Sequence, residues 1–468
     1  MRNRFWYLLF SILLVILTTE SYSSTIIKGK APSYVGETFH FYTYPDFITN
    51  RPKEIGSCTV NEQGEFSFEF NTNSTLQVYI ELGRVAGYIY AEPEKVYELI
   101  LPSLQAKTMN EKLNPYFQPQ LIQLGIANLA LDDLNVLIQK FDQIFNPFIN
   151  EFALQKYLRQ DKEADRFRFV IDSLFSGYNQ EYFQQYILYR LSLLDYIKHS
   201  GEKQSDFYSK FPGTIVEYDN PGFVDLFNRV FARFLYHYSK TTEGSKVNEV
   251  IFRSPGYSQI QKIVKNAGLF KNDSLIELVI LKGIYDELYE SDYPEINLLI
   301  ILDSIKKESD TEKNLDIVEN IVWKATRLEV GSMAPGFKLF NQENILTSLE
   351  DFKGRYVYLN FVSFQSYACQ VQLPILSELA RDFKDSLIVV SISIDESIQE
   401  MKKQVINKSY SWPFLHLGDD PVLLNEYDIR AYPTFFLLNK DGEFIGSPAP
   451  SPMDNFKDYF TKVLLNRN

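Results

Sequence analysis

Chemistry has few places to start in this chain. Its 468 residues include two cysteines and four histidines. Cys369 opens an amphipathic stretch, Ala368 to Phe383, that reads as a helix despite an internal Pro374. A thiol there can form a mixed disulfide or meet an oxidant, and both reactions run through the thiolate. Cys58 lies far upstream in the strand-like run Ile55 to Val60 and reads as a small buried apolar residue, although a Cys58–Cys369 bridge stays open. Two cysteines are too few for a disulfide framework. His40, His199, His237 and His416 are scattered and no H-E-x-x-H spacing occurs, so no metal site is expected. Asp395, at the end of an apolar run, reads as a solvated carboxylate rather than a pocket acid. G-x-G-x-x-G, Walker A and G-x-S-x-G patterns are missing, and the sequence calls for no cofactor.

Around Cys369 the pattern alternates between strand and helix from Leu328 to Asn468. Arg355 to Val362 and Leu387 to Ile394 are evenly apolar, as strands buried on both faces must be. Thr434 to Leu438 is a third strand, turning at Lys440-Asp441-Gly442 into Glu443 to Ile445, and Phe456 to Leu465 closes as a helix. Upstream, residues 24–104 show period-two alternation with Gly and Asn turns, which predicts a small antiparallel β domain; Phe66, Phe68 and Phe70 would share one core face. Residues 105–327 turn helical, with aromatics at helical spacing such as Phe141 and Phe145, or Phe223, Phe227, Phe231 and Phe234. This array reads as a packed core, with a groove for a peptide partner as the sharper alternative.

Residues 1–23 read as a secretory signal peptide: Arg2 and Arg4 make a basic start, Phe5 to Ile16 is apolar but for Ser11, and Ser21 and Ser23 suit a cleavage site. The mature protein is then expected to be soluble and exported, touching the membrane only before cleavage. Hydrophobic residues make up 45% of the chain, enough for several cores, so a disordered chain is excluded. The formal net charge of −13 makes nucleic acid a poor partner.

The last region resembles the thioredoxin fold, and within it the TlpA/ResA-like envelope thiol–disulfide oxidoreductases. Gly331-Ser332-Met333-Ala334-Pro335-Gly336-Phe337 matches that family's G-x-x-A-P-x-F, and Leu349 to Gly354 its L-x-x-x-K-G. Asn360-Phe361 matches the strand leading to N-F-W-x-x-W-C-x-x-C-x-x-E-x-P. Tyr432-Pro433-Thr434 matches the segment with a cis-proline opposite that motif. Aligned without gaps from Asn360 to Pro374, the first cysteine position is Ser366 and the second Cys369, giving Ser-Tyr-Ala-Cys. Gln365 stands for the Trp and Gln372 for the Glu.

The resemblance implies a cis Tyr432–Pro433 bond packed beside Ser366 and Cys369, receiving an extended peptide. It also implies a periplasmic location and an envelope protein or peptide as partner. A serine does not exchange with disulfides, and Gln372 does not titrate, so two-cysteine turnover is expected to be absent. The expectation is a multidomain α and β protein with an N-terminal antiparallel β domain, a middle all-α region and a C-terminal α/β thioredoxin fold (328–468), acting as a binding module. The alternatives are one-thiol redox chemistry at Cys369, or peroxidase chemistry, since Ser366-x-x-Cys369 also resembles the peroxiredoxin P-x-x-x-T/S-x-x-C with Val362 in place of its Pro.

Overall fold

The computed structural model describes residues 24–465 apart from 113, 115, 155–160, 200–206, 214, 271–272, 291, 396 and 419–420. The signal-peptide reading at 1–23 lies outside them. The chain forms two compact units: residues through Leu104 with Gln120–Val230, and Gln105–Pro119 with Phe231 onward.

In the first unit, strands β1 (Ser24–Lys30), β2 (Thr38–Asp46), β3 (Arg51–Thr59), β4 (Glu65–Asn71), β5 (Leu76–Leu82), β6 (Val85–Ala91) and β7 (Val96–Ile100) are joined by the short β8 (Gln120–Gln123) and β9 (Gly125–Ile126). They form two sheets, ordered β4-β1-β7-β9 and β3-β2-β5-β6-β8. Alternation along β4 buries Phe66, Phe68 and Phe70 in a core shared with Phe39, Phe41 and Tyr97. Antiparallel pairing predominates. β1 with β7 and β6 with β8 are parallel, because the chain returns to the sheet through long connections rather than hairpins. β8 and β9 fall in the stretch read as helical; runs of four and two residues are too short to show a period. The helix Leu134–Leu154 is tied to the sheet by Asn135, whose amide pairs with the backbone N–H and C=O of Tyr90, both at 2.8 Å. Phe141, Phe145, Phe183, Phe223 and Phe227 are buried, as a packed aromatic core requires.

In the second unit, helices from Phe234–Ser239 to Glu312–Thr326 precede the site-bearing sheet. They are clasped by buried Glu277, which accepts from Tyr257 Oη and Asn314 Nδ2, both at 2.9 Å. The sheet contains β10 (Lys338–Asn341), β11 (Leu346–Ser348), β12 (Tyr356–Val362), β13 (Leu387–Ser393), β14 (Phe414–His416), β15 (Thr434–Leu438) and β16 (Phe444–Gly446), ordered β11-β10-β14-β13-β12-β15-β16. β12 lies parallel to β13 and antiparallel to β15, buried at every residue. Val357, Leu359 and Phe361 feed one core. Tyr356, Tyr358 and Val362 feed the other, beneath the helices Tyr367–Asp382 and Phe456–Leu465. Gly442, at φ 91°, makes the turn before β16, and Asn439 Oδ1 accepts from the N–H groups of Asp441 and Glu443.

Many phenols are packed into these cores. Burial pushes those of Tyr88 and Tyr432 up to about 12 and raises those of Tyr79, Tyr97, Tyr358 and Tyr427. A folded-state pKa above the unfolded value of about 10 gives stability that is fully present below pH ~10 and falls as pH rises. Thermal unfolding midpoints should therefore drop steeply between pH 10 and about 12. A midpoint flat across that window would show that the phenols ionise in place.

Candidate functional site

β12 ends at Val362, and the chain must turn before the helix Tyr367–Asp382 begins. That turn is held from below by Asp395. Its carboxylate accepts from Ser363 Oγ at 2.9 Å, from the Phe364 N–H at 3.1 and 3.2 Å, and from Ser393 Oγ at 2.6 Å. Asp395 is 3% exposed, so the expected solvated strand-end carboxylate is corrected: three donors from two segments replace its water. Above the turn, Gln370 Nε2 donates to the Phe364 carbonyl at 2.7 Å, and the Gln365 N–H to Ser363 Oγ at 3.2 Å. His416 donates from Nε2 to the Asp395 carbonyl at 2.8 Å and accepts the Gly418 N–H at Nδ1 at 3.2 Å. Those bonds place its proton on Nε2, and the ring serves the scaffold rather than a thiol.

Ser366 is the N-cap residue, half-buried, and its side chain makes no capping bond to the backbone. Tyr367 follows, 80% exposed. Cys369 completes the first turn pointing inward, 0% exposed, within the core cluster on the helix side of the sheet. Burial is the main force raising its thiol pKa, and the nearby charge of Asp395 adds to it. Hydrogen bonds from the Ser363 backbone and the Ser366 side chain pull the other way. The thiol form is therefore favoured. Both cysteines are free, and Cys58 is half-buried rather than buried because β3 lies at a sheet edge.

The Tyr432–Pro433 bond is cis, the isomer the motif resemblance implies. Tyr432 packs on the cluster that holds Cys369, and its phenol is influenced by that thiol. Ser366, Cys369 and Tyr432 thus meet in one place, with Gln372 one helical turn beyond Cys369. Two polar atoms are buried here without a hydrogen-bond partner, Gln372 Oε1 and Tyr432 Oη. Among the described residues no cluster of His, Cys, Asp and Glu is arranged to hold a metal ion.

The AhpC/TSA family profile matches residues 330–445. The thiol–disulfide oxidoreductase ResA of Bacillus thuringiensis subsp. konkukian is 26% identical over 142 residues, 30% of this chain and 82% of ResA. The thioredoxin-like protein YneN of Bacillus subtilis is 30% identical over 121 residues, 25% of this chain and 71% of YneN. The chain belongs to the thioredoxin-like thiol–disulfide oxidoreductase family. A solved thioredoxin domain of a thiol–disulfide oxidoreductase from Bacteroides vulgatus aligns at 25% identity, covering 29% of this chain and 98% of that one, with a TM-score of 0.27.

In this member of the thioredoxin-like family the residue that sequence reasoning missed is Asp395. On a Cys58→Ser background, Asp395→Asn keeps the shape and removes the charge. The pH midpoint for alkylation of Cys369 should then fall, because the Asp395 charge is one of the influences that raise it. Asp395→Ala should also cost ~3 kcal/mol of stability, since it strands the turn's buried donors. An alkylation profile that stays put in the Asn variant would show that the carboxylate does not act on the thiol.

Proposed function

We propose that the protein works outside the cytoplasm as a thioredoxin-like binding module that does not turn over disulfides. One observation carries the reading. The accessible start of the site helix bears the Ser366 hydroxyl, while the thiol of this domain, Cys369, is sealed behind it with its pKa raised. Disulfide exchange begins with an exposed thiolate and ends with a second thiol that resolves the mixed disulfide. Ser366 supplies neither.

The partner is an extended peptide of an envelope protein, laid beside Tyr432 and Pro433. A peptide unit both donates and accepts hydrogen bonds, and rotation of the Tyr432 and Gln372 side chains would bring their unpartnered polar atoms to it. Export to the periplasm follows from the basic and apolar pattern of residues 1–23. Among the described residues no helix is long and apolar enough to cross a membrane. A second reading, one-thiol redox or peroxidase chemistry at Cys369, is favoured by the hydrogen bond from Ser366, which stabilises the thiolate.

Insulin reduction and peroxide consumption by the purified protein separate the two. The wild type should be inert in both assays, and Cys369→Ser should change nothing. Ser366→Cys should bring measurable disulfide reduction, because the helix N-terminus lowers the new thiol's pKa, and adding Gln372→Glu should raise it severalfold. Robust wild-type activity in either assay, abolished by Cys369→Ser, would replace the binding-module reading with the one-thiol one.

A further inference from the structure

We propose that the first unit binds a small amphipathic carboxylate, a negative head on a short apolar chain, in a cleft between the helices Leu134–Leu154 and Asp161–Phe175. The proposal is independent of the thiol site. The cleft has a volume of about 310 Å³ and is lined by Lys140, Gln143, Ile144, Leu174, Phe175 and Tyr178. That is the low end of the range for small-molecule sites, ~300–1,000 Å³. Aromatic packing decides where it opens. Phe141 meets Phe175 at 5.8 Å between ring centres and Phe145 meets Phe167 at 6.0 Å, so the two helices run antiparallel. Phe148 stacks on Phe167 at 3.8 Å and fills the far end of their contact. At the near end Lys140, Gln143 and Ile144 share one helix face at i, i+3 and i+4 spacing, and the other helix contributes Leu174, 50% exposed. The chain turns after Phe175, and the half-buried Tyr178 ring comes to rest 6.4 Å from both Phe175 and Phe183, which sets the last wall.

Among the lining residues Lys140 alone is charged. Its Nζ donates to the Leu131 carbonyl at 3.2 Å and has no ion pair among the described residues, so two of its three protons are left for a ligand. The loop it grips is fixed from another side by Gln180, whose Nε2 holds the Asp132 carbonyl at 2.8 Å. The neighbouring carboxylates are engaged elsewhere. Asp133 pairs with Lys95 at 3.2 Å, and Asp142 accepts from Tyr186 at 2.8 Å and faces Arg190. Asp132 and Asp172 are exposed to water and do not line the cleft. A cationic ligand would find no counter-charge on the lining, and an anionic head finds one.

The remaining polar groups agree with that sign. The Gln143 amide and the Tyr178 hydroxyl make no hydrogen bond among the described residues, and each can donate, as Lys140 does. Three donors on three side chains, one of them charged, match a carboxylate, whose two oxygens only accept. Ile144, Leu174 and the Phe175 ring supply the apolar wall. A bare inorganic anion would leave that wall uncovered, whereas each methylene a chain buries against it strengthens binding roughly fourfold. Charge thus selects the head, and the wall selects the chain.

The test titrates the full mature chain by calorimetry with octanoate, and with acetate and octylammonium as contrasts. Octanoate should bind with a Kd of about 1 mM or below, at least about tenfold tighter than acetate, which lacks the chain, and than octylammonium, which reverses the charge. Lys140→Met keeps the apolar length and removes the charge. It should weaken octanoate about tenfold and erase the preference over octylammonium, without lowering the unfolding midpoint, because Lys140 is exposed. Leu174→Asp, also at an exposed position, should abolish octanoate binding by setting a like charge in the wall. Silence from octanoate at about 10 mM would overturn the proposal, as would octylammonium binding as tightly, or octanoate binding that either variant leaves unchanged.

Discussion

A strand with no wet face cannot drift out of its sheet. β12 is buried at every residue, with one side chain set in each of two cores, so the chain leaves it abruptly after Val362. The backbone donors of so sharp an exit need acceptors, and water does not reach them. Asp395, delivered at the end of the parallel neighbour β13, accepts the Phe364 N–H and the Ser363 hydroxyl on one carboxylate, and Ser363 takes the N–H groups of Gln365 and Ser366. Everything chemical in the domain follows from that exit: it sets where the helix Tyr367–Asp382 starts, and so which residue looks out and which looks in.

The same strand holds a second buried polar chain. Trp412 Nε1 donates to Ser391 Oγ at 2.9 Å, Ser391 Oγ to Asn360 Oδ1 at 2.8 Å, and Asn360 Nδ2 to the Val390 carbonyl at 3.2 Å. Asn360 and Ser391 pair across the β12–β13 ladder, so a one-residue slip would leave both amide and hydroxyl unpaired in the core. Register at the centre of the sheet is thus enforced by polar groups, while its stability comes from the apolar residues around them.

Much of this is legible in the sequence. The spacing from Asn360 to Pro374 locates Ser366 and Cys369, and the helix begins at Tyr367, one residue before its expected start. The segment Tyr432-Pro433-Thr434 lies where its motif implies. Period-two and helical spacing also place Phe66, Phe68, Phe141 and Phe145 in cores. Asp395 is not legible, because an acid after an apolar run looks the same whether water or a turn satisfies it; the donors come from Ser363 and Phe364, distant in sequence. The short β8 and β9 escape because they pair with strands that no local pattern names. The pairing of Tyr79 with Tyr88 escapes too, since register alone brings the two together.

None of the bonds from Asp395 that hold the turn uses the side chain at 366 or 369. The Ser366 hydroxyl makes no capping bond to the helix backbone and reaches instead to Cys369, so exchanging it for a thiol leaves the bonds between Asp395 and the turn in place. Fold and reactivity are mechanically separate here. A nucleophile can therefore be set at position 366, or taken from it, without disturbing the frame.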